Sequence, residues 1–259
     1  MGAMKKSLAL AVGFCISSTL ASPAFSADKL PNKVIWAWQR PEHLEFIDPH
    51  EFGIAYLACR VLLTENGIKT HWRNQTLKLP AAAVLVPTIR IDVSAKPALD
   101  EKQMEDVLKL IQQVAARPHI AEIQIDFDAR VTEREFYRKL LEELHKRLAG
   151  KTPVSITALA SWCLFDNWIK DLPVDETVPM MFSLGGEREK LLLYFRKEKD
   201  FMVSGCCKSL GISLEDEEVN KVMLPLMKKR KIPVRVFVFT KTAWTPEKIQ
   251  ALRDLLKSQ

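Results

Sequence analysis

Eight short apolar runs that alternate with amphipathic helical segments constrain the fold of this chain more than any other feature. The runs are rich in β-branched residues, and turn-forming residues separate them, which is typical of strands. Several are apolar almost throughout, as expected for parallel strands that are buried on both faces. The predicted strands are Val34–Trp38, Gly53–Leu63, Ala82–Ile91, Ile120–Phe127, Val154–Leu159, Val178–Leu184, Phe201–Ser204 and Val234–Thr240.

Helical periodicity fills most of the gaps between these runs. The predicted helices are Asp100–Ala116, Thr132–Leu148 with Thr132 and Glu135 as a capping box, a short helix at Phe165–Lys170, Glu187–Lys197, Leu214–Lys229 and Thr245–Leu256. The segment Thr64–Ala81, between the second and third predicted strands, lacks a helical pattern. Its Asn66-Gly67 pair predicts a β-hairpin that extends from the barrel.

This alternation of strands and helices predicts the α/β class. Short connections between alternating elements indicate a parallel sheet, and eight strands predict a single (β/α)8 TIM-type barrel that is irregular between its second and third strands. An open doubly wound sheet is the alternative, but no G-x-G-x-x-G turn supports a nucleotide site.

The first residues of the chain predict an export signal. Lys5 and Lys6 form a positive region, Leu8–Leu20 forms an apolar core, and Ala24-Phe25-Ser26 is a small-x-small cleavage site. We therefore expect residues 1–26 to be a signal peptide and residues 27–259 to form a single barrel domain. The mature protein is expected to be periplasmic or secreted, without a stable membrane span; a retained N-terminal anchor is the alternative.

Charge and motif content argue against several classes of function. Removing residues 1–26 takes away two lysines and no acid, so the formal charge falls from +6 to +4. The basic run Lys228–Lys231 ends a predicted helix, where cations favour the helix dipole, so no nucleic-acid partner is expected. The histidines form no metal-binding motif, and neither a metal nor a cofactor is predicted.

Four cysteines remain after the predicted processing, namely Cys59, Cys163, Cys206 and Cys207. They form no paired C-x-x-C motif, which argues against a structural zinc site. An exported protein can oxidise its cysteines. Because the predicted fifth and seventh strands lie two apart in a barrel, we expect a disulfide between Cys163 and Cys206, with Cys207 as the alternative partner.

The predicted fourth strand ends in two aspartates. Successive side chains of a strand point to opposite faces, so Asp126 and Asp128 share one face with Gln124. In a barrel enzyme the chemistry lies at the carboxyl ends of the strands. Neighbouring carboxyl groups shift each other's proton affinity, and glycoside hydrolysis uses such carboxyl groups. We predict that Asp126 and Asp128 are catalytic, with Asp128 as the principal residue because it is nearer the mouth.

Other residues are expected at the same mouth because they end or follow barrel strands. Arg130 is expected to point to the same face as Asp128 and to keep that aspartate charged. Aromatic rings offer broad apolar surfaces on which sugar rings can pack. The predicted substrate-binding residues are Trp36, Trp38, Arg90, Arg130, Trp162 and Trp244. Structural alternatives remain for all of them: the aspartates as ion pairs with the arginines, and the tryptophans as core residues.

Several segments of the chain resemble one bacterial family. VIWAWQRPEHLEFIDPHEFGIAYLA, IQIDFDAR, SITALASWCLFDNW and LPVDETVPMMFSLG resemble the family called domain of unknown function 3142. The likeness extends from Val34 to about Trp244. It implies an exported barrel of the glycosidase type, and the family has no established activity.

A weaker likeness is to family 18 chitinases. In those enzymes the fourth strand ends in a D-x-D-x-E pattern, and a tryptophan follows the eighth strand. Asp126 and Asp128 match the two aspartates, and Trp244 lies where the tryptophan would be. Arg130 takes the place of the glutamate that donates a proton, so the chain departs from the chitinase mechanism.

Two classes of function follow from these residues. The first is a glycoside-hydrolase-like protein that acts on a cell-surface or extracellular polysaccharide or oligosaccharide through the aspartate pair. The alternative is a non-catalytic protein on the same fold, either binding carbohydrate or interacting with another protein of the cell envelope.

Overall fold

The computed structural model describes residues 30–257. The predicted signal peptide, residues 1–26, lies outside the described residues, and its cleavage stays a prediction. Within the described part of the chain, no helix is long and apolar enough to cross a membrane.

Eight parallel strands close into a barrel. The barrel strands are β1 (Lys33–Ala37), β3 (Phe52–Thr64), β6 (Leu85–Val93), β7 (Ile123–Asp126), β8 (Val154–Leu159), β9 (Glu176–Met180), β10 (Ser209–Ser213) and β11 (Arg235–Phe239). They follow chain order around the barrel, and Ile35 of β1 lies opposite both Ile54 of β3 and Val238 of β11. This double pairing confirms the predicted barrel and excludes the open sheet.

The predicted irregularity between the second and third barrel strands is also confirmed. β3 extends beyond the barrel and turns back into the antiparallel strand β4 (Gly67–Trp72), with Cys59 opposite Trp72 and Thr64 opposite Gly67. Gly67 has a φ of +115°, which a residue with a side chain rarely adopts. Two short strands, β2 (Glu42–His43) and β5 (Leu77–Lys78), pair beside the hairpin.

Within residues 30–257, six α-helices follow barrel strands. They are α1 (Glu101–Ala115), α2 (Arg134–Leu148), α3 (Ala160–Leu164), α4 (Arg188–Arg196), α5 (Glu217–Lys229) and α6 (Pro246–Lys257). Asp100 is the N-cap of α1, and its carboxylate accepts a hydrogen bond from the Gln103 N–H at 2.7 Å. The predicted Thr132/Glu135 box is wrong, because a 3-10 turn at Val131–Glu133 precedes α2. The predicted helix at Phe165–Lys170 is misplaced, since the helical residues after β8 are those of α3.

The predicted seventh strand is wrong as well. Phe201 and Val203 are buried, but the chain there runs into a 3-10 turn at Ser204–Cys207, and the strand is β10, five residues further on. Gly211 in the middle of β10 explains why this strand carries a weak apolar signal. A Cβ atom at this position would lie 2.9 Å from the Trp36 ring, so the strand needs a residue without a side chain.

Alternate side chains of the barrel strands belong to two different cores, one between the barrel and the helices and one inside the barrel. In β7, Ile123 and Ile125 belong to the core between the barrel and the helices. Gln124, which lies between them in the sequence, is also buried, and it accepts hydrogen bonds from Trp36 of β1 and Thr88 of β6. The smaller core inside the barrel contains Leu30, Val34, Trp36, Ala55, Val86, Ala121, Val178 and Phe237.

Cys163 and Cys206 form a disulfide, with their Cα atoms 6.0 Å apart. The bond does not join two strand ends, because Cys163 lies in α3 and Cys206 lies in the 3-10 turn before β10. Cys207 and the buried Cys59 are free thiols. The disulfide therefore links the helical layer to the segment that leads into the seventh barrel strand.

Candidate active site at the barrel mouth

A cavity of about 430 Å³ opens at the carboxyl ends of the barrel strands, and we call it the mouth cavity. Five of the residues that the sequence predicts for the site line it, namely Trp36, Trp38, Arg90, Asp126 and Asp128. Active sites of barrel enzymes lie at this end of the barrel. The mouth cavity is therefore the candidate active site.

Arg90 connects the two aspartates at one side of the mouth cavity. Its Nη1 lies 2.9 Å from Oδ1 of Asp126, and its Nη2 lies 2.9 Å from Oδ2 of Asp128. Its Nε donates to Asp92 at 3.2 Å. Thr157 of β8 donates a further hydrogen bond to Asp126 at 2.8 Å. One guanidinium thus fixes carboxylates from the third and fourth barrel strands in a single cluster.

The two aspartates differ in how deeply they are buried. Burial raises the pKa of Asp126; the positive charge of Arg90 opposes this shift and the negative charge of Asp128 adds to it. Burial acts to lower the pKa of Arg90, but the charges of Asp126 and Asp128 outweigh it, and that pKa is raised. The side chain of Asp126 is 4% exposed, whereas that of Asp128 is 37% exposed. Asp128 is therefore the aspartate available to a ligand.

A buried polar network supports the cavity from inside the barrel. The amide oxygen of Gln124 accepts hydrogen bonds from Nε1 of Trp36 at 2.8 Å and from the Thr88 hydroxyl at 3.1 Å. The ring of Trp36 is only 3% exposed, yet it lines the cavity. Trp38, one residue beyond β1, is half-buried. The network fixes the orientation of the indole that forms part of the cavity wall.

Two aromatic residues that the sequence reasoning missed complete this wall. Phe182 and Phe239 stack with ring centroids 5.3 Å apart and an angle of 11° between their planes. Phe182 also meets the ring of Trp36 edge-on at 5.7 Å. The signal for Phe239 is the alternation of β11, which points it to the same side as Phe237 of the inner core.

Glu187 is a third residue that the sequence reasoning missed. It lies in a 3-10 turn, Gly185–Glu187, that follows β9, and it lines the mouth cavity. It is exposed, and its carboxylate makes no ion pair or hydrogen bond within residues 30–257. The Gly185-Gly186 pair after a predicted strand was the available signal, because it marks a loop at the functional end of the barrel.

Arg130 does not hold Asp128, contrary to the sequence prediction. The strand β7 ends at Asp126, so the alternation that would place Arg130 beside Asp128 does not continue. The guanidinium of Arg130 lies instead 2.8 Å from the carboxylate of Glu133, and its side chain is 65% exposed. Arg130 is not among the residues that line the mouth cavity.

Trp162 and Trp244 are core residues that do not line the mouth cavity. Each is 3% exposed. Trp162 packs edge-on against Trp168 at 5.0 Å. Trp244 donates from Nε1 to the carbonyl oxygen of Trp36 at 3.0 Å, and its backbone N–H donates to Glu42 at 2.9 Å. Trp244 therefore supports the end of β1, which carries Trp36, rather than a ligand.

No group of three or more histidine, cysteine, aspartate or glutamate side chains in residues 30–257 is arranged to hold a metal ion. The lining of the mouth cavity provides one cationic side chain, carboxylates of different exposure and an aromatic wall. This set suits an uncharged, hydroxyl-rich ligand, because the aromatic rings pack against its C–H surface and the polar groups bind its hydroxyls.

Comparison with known proteins shows the fold. No family model and no curated protein matches the chain, so the resemblance to domain of unknown function 3142 stays a prediction. Among solved structures, the chain is similar to the Bacillus cereus spore cortex-lytic enzyme SleL, with a TM-score of 0.55 and 14% sequence identity. The match covers 88% of this chain and 75% of that chain. At this identity the likeness shows a common fold, the (β/α)8 barrel.

Proposed function

We propose that the protein is a glycoside-hydrolase-like barrel that takes a carbohydrate into the mouth cavity and acts on it through Asp128, with Asp126 as its electrostatic partner. The observation that carries this proposal is the cluster around Arg90, where one buried and one accessible aspartate lie beside an aromatic wall. The fold it shares with an enzyme described as spore cortex-lytic is consistent with lytic action on a cell-surface polymer.

The contacts of Asp128 support its role at the reacting centre. Its Oδ2 contacts Arg90, so Oδ1 is left for a substrate hydroxyl, a water molecule or a sugar carbon. Asp126 has both Arg90 and Thr157 as partners and is buried, which suits a residue that fixes the arginine rather than one that reacts.

Glycoside hydrolysis needs a second carboxyl group as proton donor. Arg130, at the place of the donor in the chitinase pattern, pairs with Glu133 and does not line the cavity, and Glu187 is the acid on the cavity wall besides the two aspartates. We therefore assign Glu187 to the donor role in the proposed reaction.

A non-catalytic carbohydrate-binding protein is the second candidate. The observation in its favour is that Asp126 and Asp128 both form ion pairs with Arg90, while the position of the usual donor holds an arginine. A binder needs only the aromatic wall and the polar groups, and it would release no product.

A screen of the purified mature protein against soluble polysaccharides separates the two candidates. Binding is read by affinity electrophoresis, and hydrolysis is read by the release of reducing ends. A hydrolase releases reducing ends from at least one polysaccharide that it binds, and a binder retards that polysaccharide without releasing any. If the protein neither binds nor cleaves any member of the panel, both carbohydrate functions are contradicted.

Export to the periplasm or the medium is part of the same proposal. The disulfide between Cys163 and Cys206 supports it, because such bonds persist in oxidising compartments. Intact-mass measurement of protein from the periplasm tests it: cleavage near Ser26 or Ala27 is expected, and recovery of the bulk with residues 4–26 attached would contradict it.

A further inference from the structure

A second and larger cavity, of about 690 Å³, lies along the β3–β4 hairpin, and we call it the hairpin groove. It differs from the mouth cavity in its lining, which is mostly polar. Its principal lining residues are Gln39, Arg60, His71, Trp72, Asn74 and Asp92. The hairpin is an extension that the barrel itself does not need, so a groove along it calls for an explanation other than closure of the fold.

The hairpin groove lies directly beside the mouth cavity. Trp38 lines the mouth cavity and the next residue, Gln39, lines the groove. Asp92 lines the groove and accepts a hydrogen bond at 3.2 Å from Arg90, which lines the mouth cavity. The two spaces are therefore neighbours, with the Trp38–Gln39 segment and the Arg90–Asp92 ion pair at their boundary.

Contacts within the protein hold the groove in shape. Arg60 donates to Asp92 at 2.7 and 3.0 Å. Arg73 of the hairpin donates to the carbonyl oxygens of Trp38 and Arg40, which fixes the loop that follows β1. The three charged side chains of the groove, Arg60, Arg73 and Asp92, thus have partners before any ligand arrives. A site held in advance loses less conformational entropy on binding.

The groups that remain available are amide, imidazole and aromatic side chains. The side chains of Gln39, His71 and Asn74 make no hydrogen bond within the described part of the chain. Trp72 lines the groove and is 45% exposed, with Arg117 at 5.0 Å from its ring centroid. Amide and imidazole groups beside an aromatic face suit uncharged sugar units, whereas a charged ligand would meet charges that are already paired.

We infer that the hairpin groove is a second carbohydrate subsite, continuous with the mouth cavity, and that the ligand is an extended chain of neutral sugars rather than a single sugar or disaccharide. In this arrangement Trp72 stacks on a sugar several units away from the one at Asp128. The inference rests on the proposed function, because it takes the mouth cavity to be the carbohydrate site.

Calorimetric titration with neutral cello-, xylo-, manno- and chito-oligosaccharides, from disaccharide to hexasaccharide, tests this inference. For the series that binds, affinity is expected to rise with chain length. Trp72→Ala is expected to weaken hexasaccharide binding about tenfold and to leave disaccharide binding unchanged. Asn74→Ala, at an exposed loop position, gives a second variant that leaves the hairpin strands intact.

The matched control is Phe46→Ala, which removes an aromatic ring of similar exposure, 40%, that lines neither cavity. Phe46→Ala should change neither the hexasaccharide affinity nor the disaccharide affinity. Affinity that is independent of chain length, or a Trp72→Ala protein that binds hexasaccharide as the Phe46→Ala protein does, overturns the inference while the mouth cavity keeps its function. Absence of binding in every series overturns the proposed function as well.

Discussion

At the scale of single residues, the two aspartates of the mouth cavity have different tasks because they differ in burial. Asp126 is enclosed and has two hydrogen-bond partners, so its removal affects the fold. Asp128 has one ion-pair partner and an open side, so its removal affects a ligand first. Substituting each aspartate in turn therefore distinguishes a role in ligand binding or catalysis from a role in stabilising the fold.

Asp128→Asn is expected to lower kcat/KM at least about a hundredfold, or to weaken binding if the protein is a binder. Its melting temperature should stay close to wild type, because a partly exposed substitution changes stability by about 0.5 kcal/mol or less. Polysaccharide assays and thermal unfolding of the same preparation measure both.

Asp126→Asn is the control, and it should destabilise the fold by about 1–3 kcal/mol, since a buried partner of Arg90 loses its charge. The site assignment fails if Asp128→Asn destabilises the protein strongly while activity per folded molecule is intact.

A second cluster of charges at the opposite end of the barrel makes stability depend on pH. Glu122 is buried there, and Oε1 of its carboxylate has no hydrogen-bond partner among residues 30–257. Burial raises its pKa from the ordinary value of 4.5 to about 8; the charge of Glu176 adds to the shift, and Arg235 opposes it. The folded protein therefore binds a proton at Glu122 that the unfolded chain releases.

The sign of the effect follows from this difference. The contribution of Glu122 is fully present below pH 4.5 and is lost as the pH rises toward about 8, so stability should fall across that interval. Glu122→Gln keeps the group neutral and should reduce the fall. This fall is measured by the melting temperatures of the wild type and of Glu122→Gln between acid and mildly alkaline pH. If the melting temperatures of the two proteins change with pH in parallel, Glu122 is not the source of the pH dependence.

At the scale of elements, long periodic segments were predictable from sequence and short ones were not. The helices α1, α2, α5 and α6 have the apolar spacing that predicts them, because each packs one face on the barrel. β10 was not predicted, because its middle residue is a glycine, which weakens the apolar pattern of the strand. The Trp36 ring leaves no room for a side chain at this position. The aspartate pair was predictable from the alternation in β7, but the partner of Asp128 was not, since the alternation stops at Asp126.

Gly211→Ala tests the packing of β10 against the cavity wall. The added Cβ would lie 2.9 Å from the Trp36 ring and 3.2 Å from the carbonyl oxygen of Pro179. We expect a loss of about 1–3 kcal/mol in the free energy of unfolding and a shift in tryptophan fluorescence. Gly205→Ala is the control, because its nearest neighbour would lie at 3.8 Å. Equal stability of the two variants would contradict the packing argument.

At the scale of the whole molecule, the barrel closure and the disulfide constrain the chain in different ways. The barrel brings β1 and β11 together through backbone hydrogen bonds. The disulfide spans 43 residues and joins α3 to the segment before β10, so it limits the freedom of the unfolded chain between them.

Removal of the disulfide by the double variant Cys163→Ser/Cys206→Ser should lower the free energy of unfolding by about 4 kcal/mol for a loop of this length. Denaturant unfolding with and without dithiothreitol measures it: wild type should respond to the reductant and the variant should not. Cys207→Ser, which removes the neighbouring free thiol, is the control and should keep the response. A wild-type protein that is indifferent to dithiothreitol would contradict the prediction.

The pairing of β1 with both β3 and β11 has a consequence for the order of events during synthesis. β1 emerges from the ribosome first of the barrel strands and finds β3 soon afterwards, but its other edge stays open until β11 has been made. An open strand edge is a template for pairing with other chains. Closure therefore has to wait for the last barrel strand, and until β11 is in place the free edge of β1 can pair with another chain.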